Sequence, residues 1–403
     1  NTTDKTITWT SSNENVATIS TSGLLKIIGY GEVTITAKTS NNKMSEKNID
    51  IHLRIKEIST GIQHSSTIDK SGNLLVWGRN DDGQLGDGTT ADSKVPIQIK
   101  NGTKFKAISS FGYYSVAIDE SGNLWAWGTN TNGQLGNGTT TDSLIPIKIE
   151  TSVKFKSIKT NTFHSLAIDE NDNLWTWGSN DDGQLGNNST TDSLIPIQIM
   201  SGIKFKAISA GSHHSLAIDE NGNLWTWGNN TNGQLGNNST TKSLVPIQIK
   251  SGTKFKAISA GAYHNLALDE SGNLWAWGNN SKGQLGNNST TKSLVPIQIK
   301  SGTKFKAISA GSSHILAIDE SDNLWACGSN ELGQLGNNST TNSLVPIQII
   351  SSTKFKAISA GYNHSLAIDE SDYLYGWGDN SRFQLTSELP HNELTPTKIN
   401  FNS

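Results

Sequence analysis

The Trp-Gly pair returns at Trp77, Trp127, Trp177, Trp227, Trp277 and Trp377, with Cys327 in the sixth place, so seven copies of a 50-residue unit follow one another without insertion. Self-similarity at a fixed period of this length signals a repeat architecture, and it constrains the fold more than any local motif. Each copy divides into four short segments, which in the fifth read KFKAIS (254–259), HNLALD (264–269), NLWAWG (273–278) and LVPIQI (294–299). All four alternate or run apolar over five or six residues between turn signals, which predicts strands. DESGN between the second and third segments is a compact Asp/Ser/Gly/Asn turn. Pro296 suits an outer edge strand, where a missing N–H costs little. No stretch holds helical periodicity beyond one turn.

Seven units of four antiparallel strands predict an all-β chain, a seven-bladed β-propeller. One blade alone buries too little, so its Trp and Leu face must pack on the next. The first copy has its segments from Ile55 onward, and TPTKINF (395–401) ends the last copy with a seventh proline strand. The reading from these ends is a propeller over 54–403, closed by 395–399 lying beside the strand near 55–59. Residues 1–53 are a separate piece of alternating strands.

Strand direction then assigns the loops to two ends. The G-x-x-H turns and the long GQLGNNSTT loops share one end; DESGN and the KSGTK turns share the other. The second set barely changes between copies. The pair before the histidine position changes in every copy: Ile62-Gln63, Gly112-Tyr113, Thr162-Phe163, Ser212-His213, Ala262-Tyr263, Ser312-Ser313 and Tyr362-Asn363. The stretch after Trp-Gly varies too, from RNDD at 79–82 to DNSR at 379–382. Tyr, Ser, Gly and Asn with scattered aromatics is also the composition of adaptable recognition loops. The expected partner-binding residues are therefore Tyr113, Tyr114, Phe163, His213, Tyr263, Tyr362 and Asn363, with Arg79, Lys282 and Arg382 from the second variable stretch.

Other constellations yield to blander readings. His64, His164, His214, His264, His314 and His364 resemble a ligand ring, but they fall one per blade in the second strand, and Tyr114 breaks the set. A structural hydrogen bond within each blade accounts for them better than the short bonds zinc demands. NDDGQLGDG (80–88) lacks the terminal Glu of a calcium loop, and its glycines serve backbone turns. The paired lysines Lys104/Lys106 through Lys354/Lys356 form a rim neutralised by turns such as Asp119-Glu120. Net charge is −3, so no basic field attracts nucleic acid. No apolar run approaches the roughly 18 residues of a membrane-spanning helix. The single cysteine, Cys327, has no partner for an internal disulfide. No catalytic constellation stands out from the repeat background, so the expectation is a non-enzyme with no cofactor and no metal, monomeric as a propeller.

GxxHSLAIDExGNLWxWGxNxxGQLGN resembles the signature of the regulator of chromosome condensation repeat, over about 350 residues. The resemblance implies a seven-bladed propeller and a protein partner. Nucleotide exchange on a small GTPase, which the namesake performs, uses a projecting β-wedge, and seven equal units leave no room for one. The paired tryptophans invite comparison with a light-sensing relative but lack its arginine-flanked setting; core packing explains them. TITWTSSNENVATISTSGLLKIIGYGEVTITAKT (6–39) resembles a partial bacterial immunoglobulin-like group 2 domain. That resemblance implies a bacterial protein, secreted or at the cell surface. Glycan or cell-wall binding through the same aromatic loops is the alternative to a protein partner.

Overall fold

The computed structural model describes residues 6–250, 252–349, 352–385 and 391–401. It contains strands and no helix among the described residues. Nine antiparallel sheets are present: seven four-stranded, one three-stranded and one two-stranded. The chain divides into two compact units, with Ile55–Ile399 forming the larger.

In the smaller unit, Ile7–Ser11, Gly31–Thr39 and Met44–Ile51 make the three-stranded sheet, and Ala17–Ile19 pairs with Leu25–Ile27. Val16, Ala17, Val33 and Ile35 form its core, with Trp9 packed against them.

The seven four-stranded sheets span 55–99, 105–148, 155–199, 205–249, 255–299, 305–348 and 355–398, and are numbered here in that order. In each, the strands lie side by side in chain order. The fifth shows how closely sequence dictates them: Phe255–Ala260, His264–Asp269, Leu274–Gly278 and Ser293–Ile299. Its core is shared with its neighbour. Leu216, Ile218, Leu224 and Ile249 of the fourth sheet cluster with Phe255, Ala267 and Trp277 of the fifth. Burying a side chain the size of Trp277 is worth about 1.5–3 kcal/mol or more, so the seam between sheets is where the stability of the unit resides.

Polar clasps repeat along these seams. The Gln134 carbonyl accepts from Trp177 Nε1 at 2.9 Å and Ser165 Oγ at 3.2 Å, both on the next sheet. The Gln384 carbonyl accepts from Trp77 Nε1 and Ser65 Oγ, both at 2.8 Å. The last sheet thus meets the first through the same bonds that join consecutive sheets. Thr60 and Ser359 hydroxyls 2.8 Å apart add to this closing seam, as does an ion pair between Lys70 and Asp372 at 2.5 Å. Burial pushes the Asp372 carboxyl up, but hydrogen bonds from Lys356 and Lys70 outweigh it and hold it at about 2.

The expectation that 395–399 lies beside the strand near 55–59 is not met. Glu393–Lys398 pairs with Leu374–Gly378 as the fourth strand of the seventh sheet. The reason lies in the phase of the repeat: every copy supplies its own fourth strand, and the first already has Ser93–Ile99. No strand is missing, and the ends join by packing and clasps instead.

The histidines also differ from expectation, because their bonds run between sheets rather than within one. His164 Nε2 meets Ser215 Oγ at 2.8 Å, His314 meets Ser365 at 3.0 Å and His364 meets Ser65 at 3.1 Å, each on the next sheet. Burial drives the pKa of His64, His164, His264, His314 and His364 down to about 3 and that of His214 to about 4, so all six are neutral. In the copies that carry it, the glycine of G-x-x-H lies in close contact with the histidine, while copy three keeps His164 with Asn161 in that place. A Cβ on Gly211 would lie 2.0 Å from His214 Cε1. Where Phe111 replaces that glycine, Tyr114 replaces the histidine and turns its hydroxyl to the His164 carbonyl, 2.7 Å away.

One seam departs from the pattern. Between the fifth and sixth sheets, Ile315 stands where other copies have Ser or Asn, and Cys327 stands where they have Trp. Ile315 and Cys327 are cross-strand partners, so volume lost at one is regained at the other. The cost is polar: both His264 ring nitrogens lack a partner among the described residues. Where other seams have an indole N–H, the Gln284 carbonyl receives the Cys327 thiol, at 3.9 Å.

Candidate functional site

In every four-stranded sheet the two variable stretches meet at one end. The His213 carbonyl accepts from Asn229 N at 2.8 Å, Tyr113 O from Thr129 N at 3.0 Å, and Asn363 O from Asp379 N at 2.9 Å. Glycine makes this approach. Gly228 has φ +98° and a Cβ there would sit 2.6 Å from the His213 carbonyl oxygen, a conformation glycine adopts without steric cost.

The long loop is built around one side chain. Asn180 is fully buried; its Nδ2 donates to Asn187 Oδ1 and to the Ser189 and Thr191 carbonyls at 3.0 Å, and its Oδ1 accepts from Leu185 N at 3.0 Å. An amide thus occupies the centre of the loop. Among the described residues no group of three or more His, Cys, Asp or Glu is placed to hold a metal ion.

The opposite end is taken up with stapling. Lys204 Nζ donates to Asn173 Oδ1 at 2.8 Å and Lys254 to Asn223 at 2.7 Å, each reaching the turn of the preceding sheet. Asp219 ends the second strand of its sheet and accepts from Asn223 N, Asn223 Nδ2 and Trp225 Nε1. Burial raises its pKa, but these donors prevail and hold the carboxyl below its ordinary value. Uniform turns and lysines at this end have structural work.

Most of the expected recognition residues lie together at the variable end. Phe163, His213 and Tyr263, from the third, fourth and fifth sheets, form a row. The first two ring centroids are 5.1 Å apart, and the next two stack at 6.4 Å and 16°. His213 Nδ1 also lies 3.4 Å from Asp182. Arg79 of the first sheet sits 4.8 Å over the Tyr113 ring of the second and pairs with Asp81 at 3.0 Å. Tyr263 and Tyr362 are 40% and 41% exposed, enough for a ring face to remain open to a partner. Tyr362 and Asn363 stand apart from the row.

One correction follows. Tyr114 is fully buried, hydrogen-bonded to the His164 carbonyl and Ser165 Oγ, and belongs to the seam rather than the surface. Its proximity to Tyr113 in sequence conceals that alternate strand residues face opposite ways. Lys282 is paired with Glu331 at 2.5 Å, and Arg382 bridges Asp92 at 2.9 Å and Asp81 at 3.1 Å. These two cations join neighbouring sheets, and their side chains stay 42% and 40% exposed.

Comparison of the loops alone overlooks a further group. The first strands of all seven sheets line a cavity of about 180 Å³ that includes Thr60, Phe111, Lys159, Asn161 and Ala210. Six copies place serine where the third has Lys159, and the position that is alanine in five copies and Ser157 in the third carries Glu57 in the first. Glu57 Oε1 accepts from Ile108 N at 3.3 Å. Burial pushes its carboxyl pKa up while Lys159 opposes. Reading the first segments against one another would have found both. Copies four to seven read ISAG before the variable pair; copy two reads ISSF and copy three IKTN. The departures gather on adjacent sheets.

Four-stranded antiparallel sheets packed face to face and joined last to first define a β-propeller. The description RCC1-like domain matches residues 3–255, and the Regulator of chromosome condensation (RCC1) repeat matches 271–318 and 321–368, as well as 255–284, 305–334 and 355–384 by a second profile. The chain belongs to the RCC1-like domain family. The ultraviolet-B receptor UVR8 of Arabidopsis thaliana is 42% identical over 60 residues, a stretch that spans 14% of either chain. Among solved structures, Prp20p from Saccharomyces cerevisiae, described with its binding properties to Gsp1p and histones, superposes with TM-score 0.73 at 23% identity, covering 86% of this chain and 87% of that one. Human WBSCR16 does so with TM-score 0.72 at 20% identity, covering 81% and 89%. At these identities the likeness is one of fold.

Proposed function

We propose that the seven four-stranded sheets are the blades of one closed propeller, and that it is a non-catalytic recognition module. It binds a protein partner through the loops at its variable end. One observation carries this reading: both divergent stretches of every copy are hydrogen-bonded together at one end, while the uniform end is engaged in stapling. Divergence confined to one end of a repeat array fits a surface diversified for contact. A row of rings with Asp182 beside it, and Tyr113 under Arg79, supply aromatic anchors of the kind that dominate protein interfaces. That Prp20p is described with protein partners is consistent with this use of the fold. In the same reading, residues 1–53 are a partial bacterial immunoglobulin-like module and the protein is secreted or surface-attached.

Replacing Tyr113, Phe163 and Tyr263 together by Ala should weaken partner binding by 2 kcal/mol or more, roughly thirtyfold or beyond, with an unchanged circular dichroism spectrum. Unchanged affinity would defeat the proposal. A glycan array separates the alternative, since the same rings could stack on sugars. Guanine-nucleotide exchange is assayed directly by nucleotide release from a Ran-like GTPase, and no acceleration is expected.

A further inference from the structure

Lys159 is the only cationic side chain lining the axial cavity among the described residues. The equivalent residue in each of the six other copies is a serine. Those serines have a structural duty: Ser209 Oγ accepts from Ala260 N, Ser259 Oγ from Ala310 N, and Ser309 Oγ from Ala360 N, each at 2.9 Å. Lys159 gives up that clasp and makes no ion pair or hydrogen bond to any described residue, in contrast with the stapling lysines at the opposite end. Lys159 is exposed at the cavity wall and within electrostatic reach of Glu57; exchanging a structural bond for an accessible ammonium there marks a site rather than packing.

The position along the strand fixes which end the site serves. Lys159 is followed by Thr160 and Asn161 and then by the variable pair Thr162-Phe163, so the cavity lies just below the aromatic row. Its walls are hydroxyls: the serines that accept a backbone N–H keep an O–H to donate. Glu57 of the first sheet, two residues further from the variable end, lies within electrostatic reach of Lys159.

We propose that the axial cavity is a carboxylate pocket, in which Lys159 and neighbouring serine hydroxyls receive an acidic side chain or chain terminus projecting from the partner. The proposal rests on the reading that the variable end docks a protein. Glu57 already shares part of the Lys159 charge, so a monoanionic carboxylate suits the pocket and a dianion such as phosphate is disfavoured. A carboxylate also takes several O–H and N–H donors at once, as this lining offers.

The test uses the whole chain and three small probes: N-acetylglycine for a chain terminus, N-acetyl-aspartic acid α-amide for a side chain, and N-acetylglycinamide as the uncharged control. Binding is followed by amide chemical shifts of Ser109, Thr160 and Ser209. Lys159→Ser restores the residue of the six other copies and so preserves folding; Lys159→Arg keeps the charge. One or both acids should give saturable shifts at these residues, weakened roughly tenfold or more by Lys159→Ser, since a hydrogen bond to a charged group is worth about 1.5–3 kcal/mol. Lys159→Arg should retain them. Which acid binds more tightly tells terminus from side chain. Equal shifts with N-acetylglycinamide, no shifts with either acid, or undiminished shifts in Lys159→Ser would overturn the pocket. The surface reading is judged separately: acid binding that persists while the Tyr113/Phe163/Tyr263 variant keeps full partner affinity leaves the pocket standing and removes the docking surface.

Discussion

The seam between the fifth and sixth sheets should behave as a coupled pair of substitutions. Cys327→Trp alone brings an indole against Ile315, its cross-strand partner, and against Gly286, where even a Cβ would lie 3.0 Å from Cys327 Sγ. Such overpacking costs about 1–3 kcal/mol. Ile315→Ser alone removes a side chain that is 1% exposed, a loss of about 2–4 kcal/mol that an acceptor for His264 offsets only in part. Together the changes recreate the pair found at the other seams. The new indole N–H bond to the Gln284 carbonyl contributes about 1 kcal/mol, and satisfying His264 removes a further penalty of about 1–3 kcal/mol. The double variant should therefore exceed the parent by about 2 kcal/mol although each single change falls below it. The coupling would reach or pass about 3 kcal/mol, the upper end for residues in contact. Urea unfolding followed by far-ultraviolet circular dichroism at pH 7.5 measures this, read as midpoint shifts at constant slope. Additive single effects, or a double variant less stable than the parent, would refute the volume exchange inferred from Ile315 and Cys327.

Three other outcomes follow from the same bonds. The six histidines are held neutral with pKa values of about 3 to 4, below an unfolded value near 6.5. Their contribution is complete above pH 6.5 and is lost as the pH falls toward the folded values. At pH 5 each costs up to about 2 kcal/mol, so the urea midpoint should drop steeply between pH 6.5 and 4.5; a flat profile over that window would contradict neutral burial. Tyr114→His alone should lose about 1–3 kcal/mol, because its buried hydroxyl bonds disappear and Phe111 obstructs the imidazole. Adding Phe111→Gly should recover most of that loss in the same unfolding assay, and a double variant no better than the single would break the link between glycine and histidine. Cys327, buried with its thiol pKa raised by that burial, should react with a thiol reagent faster than global unfolding permits, because its seam opens first; labelling no faster than global unfolding would place the weakest seam elsewhere.

The strands were legible to within a residue. KFKAIS, HNLALD and NLWAWG mark strand ends because turn residues flank them in each copy, and the pattern is read seven times. The clasps were not legible, since they join positions 31, 43 and 51 apart, as in Ser165–Gln134, Trp177–Gln134 and His164–Ser215. In a 50-residue repeat these spacings mean the next sheet, which only the packed arrangement reveals. The same blindness assigned the histidine bonds to single blades and moved the final strand to the wrong neighbour. At the candidate site, Phe163, His213 and Tyr263 were found because loops diverge openly. Tyr114 was misplaced because its divergence compensates for Phe111 inside the seam. Lys159 was overlooked because it lies within a strand, where divergence was not sought.

Photocrosslinking from both ends of the propeller tests the recognition surface most directly. A photoreactive phenylalanine analogue replaces Tyr113 or Tyr263 at the variable end, and Asn221 or Ser271 at the uniform end, and each variant is irradiated in extracts containing candidate partners. A common protein adduct from positions 113 and 263, absent from 221 and 271, is the predicted result. Adducts formed equally from both ends, or only from 221 and 271, would contradict it.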